Sequence, residues 1–198
     1  MMDLKIKEEP KLEKPGKGLP FLEWFMAKYI LLPGAYKSTS NHDARRFFEI
    51  ESNKICRLFE KTDRANLTKR VLIQRLRGLE DSSRYWSASM AVEHLVIVGK
   101  GITGTVVDLT GGGTTRKPVK IEDVKPNQQL ETEEVLKAFE EMTRDFLSLP
   151  IEKLDDYPKA KYPHPWFGPM NARQWYILAG RHQAIHRLQI EKILEGLN

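Results

Sequence analysis

Four stretches of this chain place apolar residues every three or four positions, and that spacing constrains the fold more than any other feature. The first stripe is Ala44, Phe48, Ile55 and Leu58, and the second is Trp86, Met90, Ala91, Ile97 and Val98. The third is Val135, Phe139, Met142, Phe146 and Leu149, and the fourth is Trp175, Leu178 and Ile193 with His182, His186 and Gln189 between them. Such spacing gives each segment one helical face to bury. Four such faces can satisfy one another in an all-α four-helix bundle, and 198 residues are enough for one domain of that kind.

Local signals set the expected boundaries. Ser40 or Asn41 caps the first helix and Asp63 and Asn66 mark its end, with a shorter helical piece from Leu67 to Gly78. The second helix begins near Ser83 or Ser87 and fades among Gly101, Gly104 and the β-branched residues that follow. Thr132 caps the third and Pro150 stops it. Asn171 opens the fourth, with Gln174 as its capping-box partner. A long crossover, roughly residues 108–130, joins helices two and three, with Val119 and Ile121 in a short extended segment.

Ahead of the bundle domain, residues 40–198, stand two additions. Residues 1–18 read as a flexible leader. Residues 19–39 read as a helical arm lying across the body, its helix set between Pro20 and Pro33, with Phe21, Trp24, Phe25 and Ile30 to bury.

Charge and composition exclude several classes. A net charge of +5 suggests nucleic acid, but the 32 basic residues are interspersed with 27 acidic ones and no basic run stands out. We therefore expect no nucleic-acid partner. The apolar stretch Leu19–Leu32 is too short to span a bilayer and carries Glu23 and Lys28, so no membrane role is expected. The N-terminus has no secretory pattern, and the single cysteine, Cys56, permits no internal disulfide. A reducing, cytoplasmic setting follows as the expectation.

The histidines carry the chemistry. His182 and His186 stand one helical turn apart on the same face, where two imidazoles can share a metal. Uniform scatter of five histidines yields roughly 0.13 such pairs, so the spacing alone is only mildly informative. Its place in an apolar stripe adds weight, because a buried polar group without a partner costs about 1–3 kcal/mol. His94 stands in the same setting on helix two. Three inward imidazoles would hold a divalent metal ion (zinc, nickel, iron or manganese) with positions left open, as catalytic sites do and four-ligand structural zinc sites do not.

The segments YWSASMAVEHL, HPWFG and GRHQAIHRLQIEKIL resemble the DinB/YfiT-like superfamily of metal-dependent bundle proteins. That family is marked by a tryptophan-serine pair ahead of a histidine on the second helix, here Trp86, Ser87 and His94. H-x-x-x-H-x-x-Q follows on the last helix, here His182, His186 and Gln189. The resemblance covers residues 40–197 and implies His94, His182 and His186 as metal ligands. It also implies a small-molecule substrate such as a low-molecular-weight thiol, thiol S-transferase chemistry, and a homodimer. The alternative is a non-catalytic metal-binding stress-response or interaction bundle.

Other residues are candidates around such an ion. Glu51 interrupts the first stripe and is read as a fourth ligand, a proton acceptor, a partner that orients an imidazole, or an acid at the stripe edge reaching water. Gln189 is read as an amide that hydrogen-bonds substrate or a metal-bound water, or as a packed amide, and Glu93 as pointing about 100° away from His94. His164, in the KYPHPWFGP loop, either lines a pocket with Trp166 and Phe167 or shapes a turn, and His42 is exposed. Gly111–Gly113 lacks phosphate-loop spacing and reads as a linker, and Cys56 as an inert helix thiol.

Overall fold

The computed structural model describes residues 9–113, 117–126 and 131–197. The N-terminal arm comprises α1 (Phe21–Met26), a π-helical turn at Ala27–Leu31 and α2 (Leu32–Ser38). Next come α3 (Asn41–Glu60), α4 (Arg64–Leu67), β1 (Val71–Leu72), β2 (Tyr85–Trp86) and α5 (Ala88–Thr110). The chain ends with α6 (Thr132–Leu147), β3 (Tyr162–His164), β4 (Gly168–Met170) and α7 (Ala172–Glu195).

Helices α3, α5, α6 and α7 make a four-helix bundle: α7 packs on both α3 and α5, and α6 packs on α5. An aromatic stack fastens three of them. Phe48 of α3 lies 3.9 Å from Phe146 of α6, which lies 4.6 Å from Tyr176 of α7 (ring centroids). All three are fully buried. Two glycines allow close approach. A Cβ on Gly180 would come within 3.4 Å of the Phe48 backbone, and one on Gly99 within 2.4 Å of Met142 Sδ.

That packing is why α5 does not fade at Gly101 and Gly104 but runs on to Thr110. Burial of Ile102, Val106 and Leu109 outweighs the low helix propensity of the glycines. By length and mean hydropathy, 1.4, α5 is apolar enough to cross a membrane, yet it is mostly buried inside the bundle.

The caps fall largely where expected. Ser40, Ser87 and Asn171 each accept a backbone N–H from the third helical residue that follows. Thr132 differs. Glu131 takes the N-cap position, and the Thr132 hydroxyl pairs instead with Ser89 at 3.0 Å.

Three expectations about secondary structure fail outside the bundle. The helical piece over 67–78 is absent: Val71 and Leu72 pair antiparallel with Trp86 and Tyr85, and this pairing also removes Trp86 from helix two. Ile121 sits in a 3₁₀ turn (Ile121–Val124) rather than an extended segment. Finally, Pro33 does not end the arm helix. The π-turn places the Leu32 N–H on the Ala27 carbonyl, and Pro33 then falls in the first turn of α2, where its missing N–H is tolerated.

The arm is pinned at both ends. Glu23 pairs with Arg75 at 2.5 Å and accepts the Gly78 N–H, and the Trp24 indole N–H donates to the Trp166 carbonyl at 2.8 Å. At the far end Arg173 of α7 donates to the carbonyls of Tyr36 and Thr39. Only Trp24 among the apolar residues expected to be buried turns inward; Phe21, Phe25 and Ile30 face solvent. Residues 9–18 also touch the body, through the N–H of Glu13 on Asp81 and that of Gly18 on Glu80, each at 2.9 Å. Residues 1–8 of the leader, and 114–116 of the glycine-rich linker, lie outside the described residues.

Candidate metal centre

His94 projects from the second turn of α5, and His182 and His186 from successive turns of α7, the helix packed against α5. One nitrogen from each ring lies within 4.8 Å of those of the other two. His94 and His186 are buried and His182 is partly buried.

The back sides of two rings decide which nitrogen faces the centre. His94 Nδ1 lies 2.7 Å from the Val124 carbonyl, which only accepts, so Nδ1 carries the proton and donates it. His186 Nδ1 lies 2.6 Å from Gln189 Oε1 and donates likewise. The same Gln189 donates its Nε2–H to the Ser83 carbonyl at 2.7 Å, which fixes its amide orientation. In both rings the lone pair is therefore left on Nε2. Outer hydrogen bonds of this sort orient metal-ligating imidazoles in metalloproteins.

The donor set fits a divalent ion. Nε2 of His94 and Nε2 of His182 are 3.3 Å apart. Two nitrogens bound at 2.0–2.1 Å to a tetrahedral zinc lie about 3.3 Å apart. Burial, more than any other effect, holds all three imidazoles in the neutral form that metals require. It lowers His94 to about 4, and places His182 and His186 well below the ordinary histidine range, helped by repulsion from His186 and His94 on His182 and from His94 and Lys125 on His186.

The walls are aromatic and polar. Trp86 stands 5.4 Å from His94 and lies nearly parallel to His186 at 6.2 Å. Lys125 reaches over the Trp86 ring at 5.1 Å and donates to Ser82 Oγ and Ser83 Oγ, with buried Glu80 at 3.4 Å. The segment 80–83 thus meets both supporting groups: it takes the amide of Gln189 and the ammonium of the residue after Val124. Neither Glu80 nor Lys125 is conspicuous in the sequence, because the chain reaches this point through irregular loops.

The remaining candidates fall elsewhere or take supporting roles. Glu51 is buried and accepts from Arg187 at 2.5 Å and Lys54 at 2.7 Å. It lies outside the three-histidine cluster and reaches neither an ion there nor open water. Arg187 of α7 is the partner that makes this burial tolerable. Glu93 is buried on α5 and is also outside the cluster. His164 accepts the backbone N–H groups of Trp166 and Phe167 at Nδ1, closing the turn between β3 and β4, so its structural reading holds. His42 is exposed, and burial together with Glu140 and Glu60 pushes the Cys56 thiol up to about 11. A cleft of about 480 Å³ opens between the arm, Phe167 and Gln174, away from the three histidines.

The chain is similar to a solved structure, TT2238, described as a four-helix bundle protein. The two are 24% identical, and the match covers 77% of this chain and 98% of that one, with a TM-score of 0.54. The fold is a four-helix bundle. No protein-family model matches the chain, and no curated protein does.

Proposed function

We propose that this protein binds one divalent metal ion on His94, His182 and His186 and uses it as an enzyme of the DinB/YfiT-like kind, a thiol-dependent transferase. One observation carries the reading. Three neutral imidazoles from two helices converge, and the two with identified back-side partners turn Nε2 to the centre. Three protein ligands leave room for a substrate, and an ion so held supplies Lewis acidity that lowers the pKa of a thiol bound there. The residues of the chain then have defined tasks. Val124 and Gln189 hold two rings in register, Trp86 walls one side, and the buried surroundings keep water out.

Elemental analysis of untagged protein is the first test. We expect one equivalent of metal in the wild type and none in His186→Ala, with helicity retained. Unchanged metal in that variant overturns the assignment. The activity is tested separately, by thiol consumption against a panel of electrophiles with and without a chelator.

A second reading, a metal-binding interaction bundle without catalysis, is favoured by one observation. Glu51 and Gln189, the two residues singled out in the sequence as candidates beside the ion, both have their polar atoms committed to protein partners. Stoichiometric metal with no thiol consumption across the panel would select it.

A further inference from the structure

We propose that the outer face of the N-terminal arm is the contact surface of a homodimer, two copies pairing arm against arm. Phe21, Leu22, Phe25, Met26, Tyr29 and Ile30 follow one another at steps of one and three, which keeps them on one side of the helix. Leu31 extends the same face. Their exposures are 76%, 71%, 41%, 38%, 53%, 50% and 61%. At roughly 200 Å² for a large side chain, the seven offer on the order of 800 Å² of apolar surface to solvent.

That area discriminates between occupants. The largest apolar patch on an ordinary monomer is about 300–600 Å². A standard protein–protein interface takes about 800 Å² from each partner. The arm alone therefore supplies one side of such an interface, with aromatic residues and methionine at its centre, as interface cores have. Lys28 lies at its rim, laid over Trp24 at 4.9 Å and Tyr29 at 5.4 Å. The anchors at Glu23, Trp24 and Arg173 hold the surface rigid, so pairing costs little further ordering.

A second copy fits better than a bilayer. A helix lying in a lipid interface carries a Lys- and Arg-rich polar face. Residues 20–38 contain only Glu23, Lys28 and Lys37, and Glu23 is turned inward onto Arg75. An apolar stripe of this kind is also self-complementary about a twofold axis. Antiparallel pairing sets the aromatic end, Phe21 and Phe25, against the aliphatic end, Ile30 and Leu31.

Sedimentation equilibrium from nanomolar to tens of micromolar protein tests the proposal. We expect the wild type to be a dimer, and the double variant Leu22→Glu/Ile30→Glu to dissociate at least ~100-fold more readily with unchanged helicity and metal content. A wild type that stays monomeric throughout overturns the proposal, as does a dimer that persists unchanged in the folded double variant. A monomer that co-sediments with phosphatidylserine-containing vesicles also overturns it and assigns the face to lipid. Met26→Cys gives a check that needs no charge in the stripe: mild oxidation should join two copies, and a folded variant that yields no cross-linked dimer counts against the pairing.

Discussion

Gln189 reaches the proposed metal centre only through another side chain, and that makes its role measurable. Gln189→Leu removes the acceptor for the His186 Nδ1–H and orphans the Ser83 carbonyl. Competition with a chromophoric chelator should show metal affinity falling about 10–100-fold. Urea unfolding of the metal-free protein should show a loss of about 1–3 kcal/mol. Glu51→Gln should separate cleanly from it. Breaking the buried pair with Arg187, which keeps Glu191 as a partner at 2.6 Å, should cost about 1–3 kcal/mol and leave metal content unchanged. Loss of metal in Glu51→Gln would return that residue to the ligand set. The three histidines were legible in the sequence because each interrupts an apolar helical stripe. The state of Glu51 was not, since its partner Arg187 lies on another helix, far along the chain.

Among the elements, the helices that carry the three histidines begin at side-chain caps. The tryptophan-serine pair ahead of His94 divides into two tasks: Ser87 caps α5, and Trp86, held on β2, walls the imidazoles. Asn171 does the same for α7, accepting the Gln174 N–H at 2.9 Å. Asn171→Ala should therefore destabilise the protein by about 1 kcal/mol in urea titration while leaving metal stoichiometry intact. A larger loss accompanied by loss of metal would mean that the first turn of α7 sets the spacing of its two histidines. Helical periodicity and capping residues made all four bundle helices legible. The connections were not legible: β1 with β2 and β3 with β4 are pairings of only two or three residues, too short for an alternating pattern. Propensity also misjudged the end of α5, where the burial of Ile102, Val106 and Leu109 inside the bundle is a tertiary fact.

At the scale of the whole molecule, buried neutral imidazoles tie stability to pH. His94 and His164 are both lowered to about 4 from 6.5, chiefly by burial, and His182 and His186 shift the same way. Below pH 6.5 the unfolded chain therefore binds more protons than the folded one. The stabilisation is complete above that value and is lost as pH falls towards 4. Urea midpoints of the metal-free protein should decline steadily across this window, and a flat profile would mean that the rings are already charged in the fold. The π-turn of the arm has its own consequence. An α-helix advances about 100° per residue, so the extra residue enclosed by the Leu32-to-Ala27 hydrogen bond shifts the sequence by one position against the helix phase. Deleting one residue from Ala27–Leu31 would leave a continuous, fully bonded helix. Because the Ala27 carbonyl and the Leu32 N–H would stay paired, the segment beyond would keep its phase and the arm would still engage Arg75 and Arg173 together, whereas the same deletion within α1 would turn everything beyond it by about 100° and break one of the two anchorages.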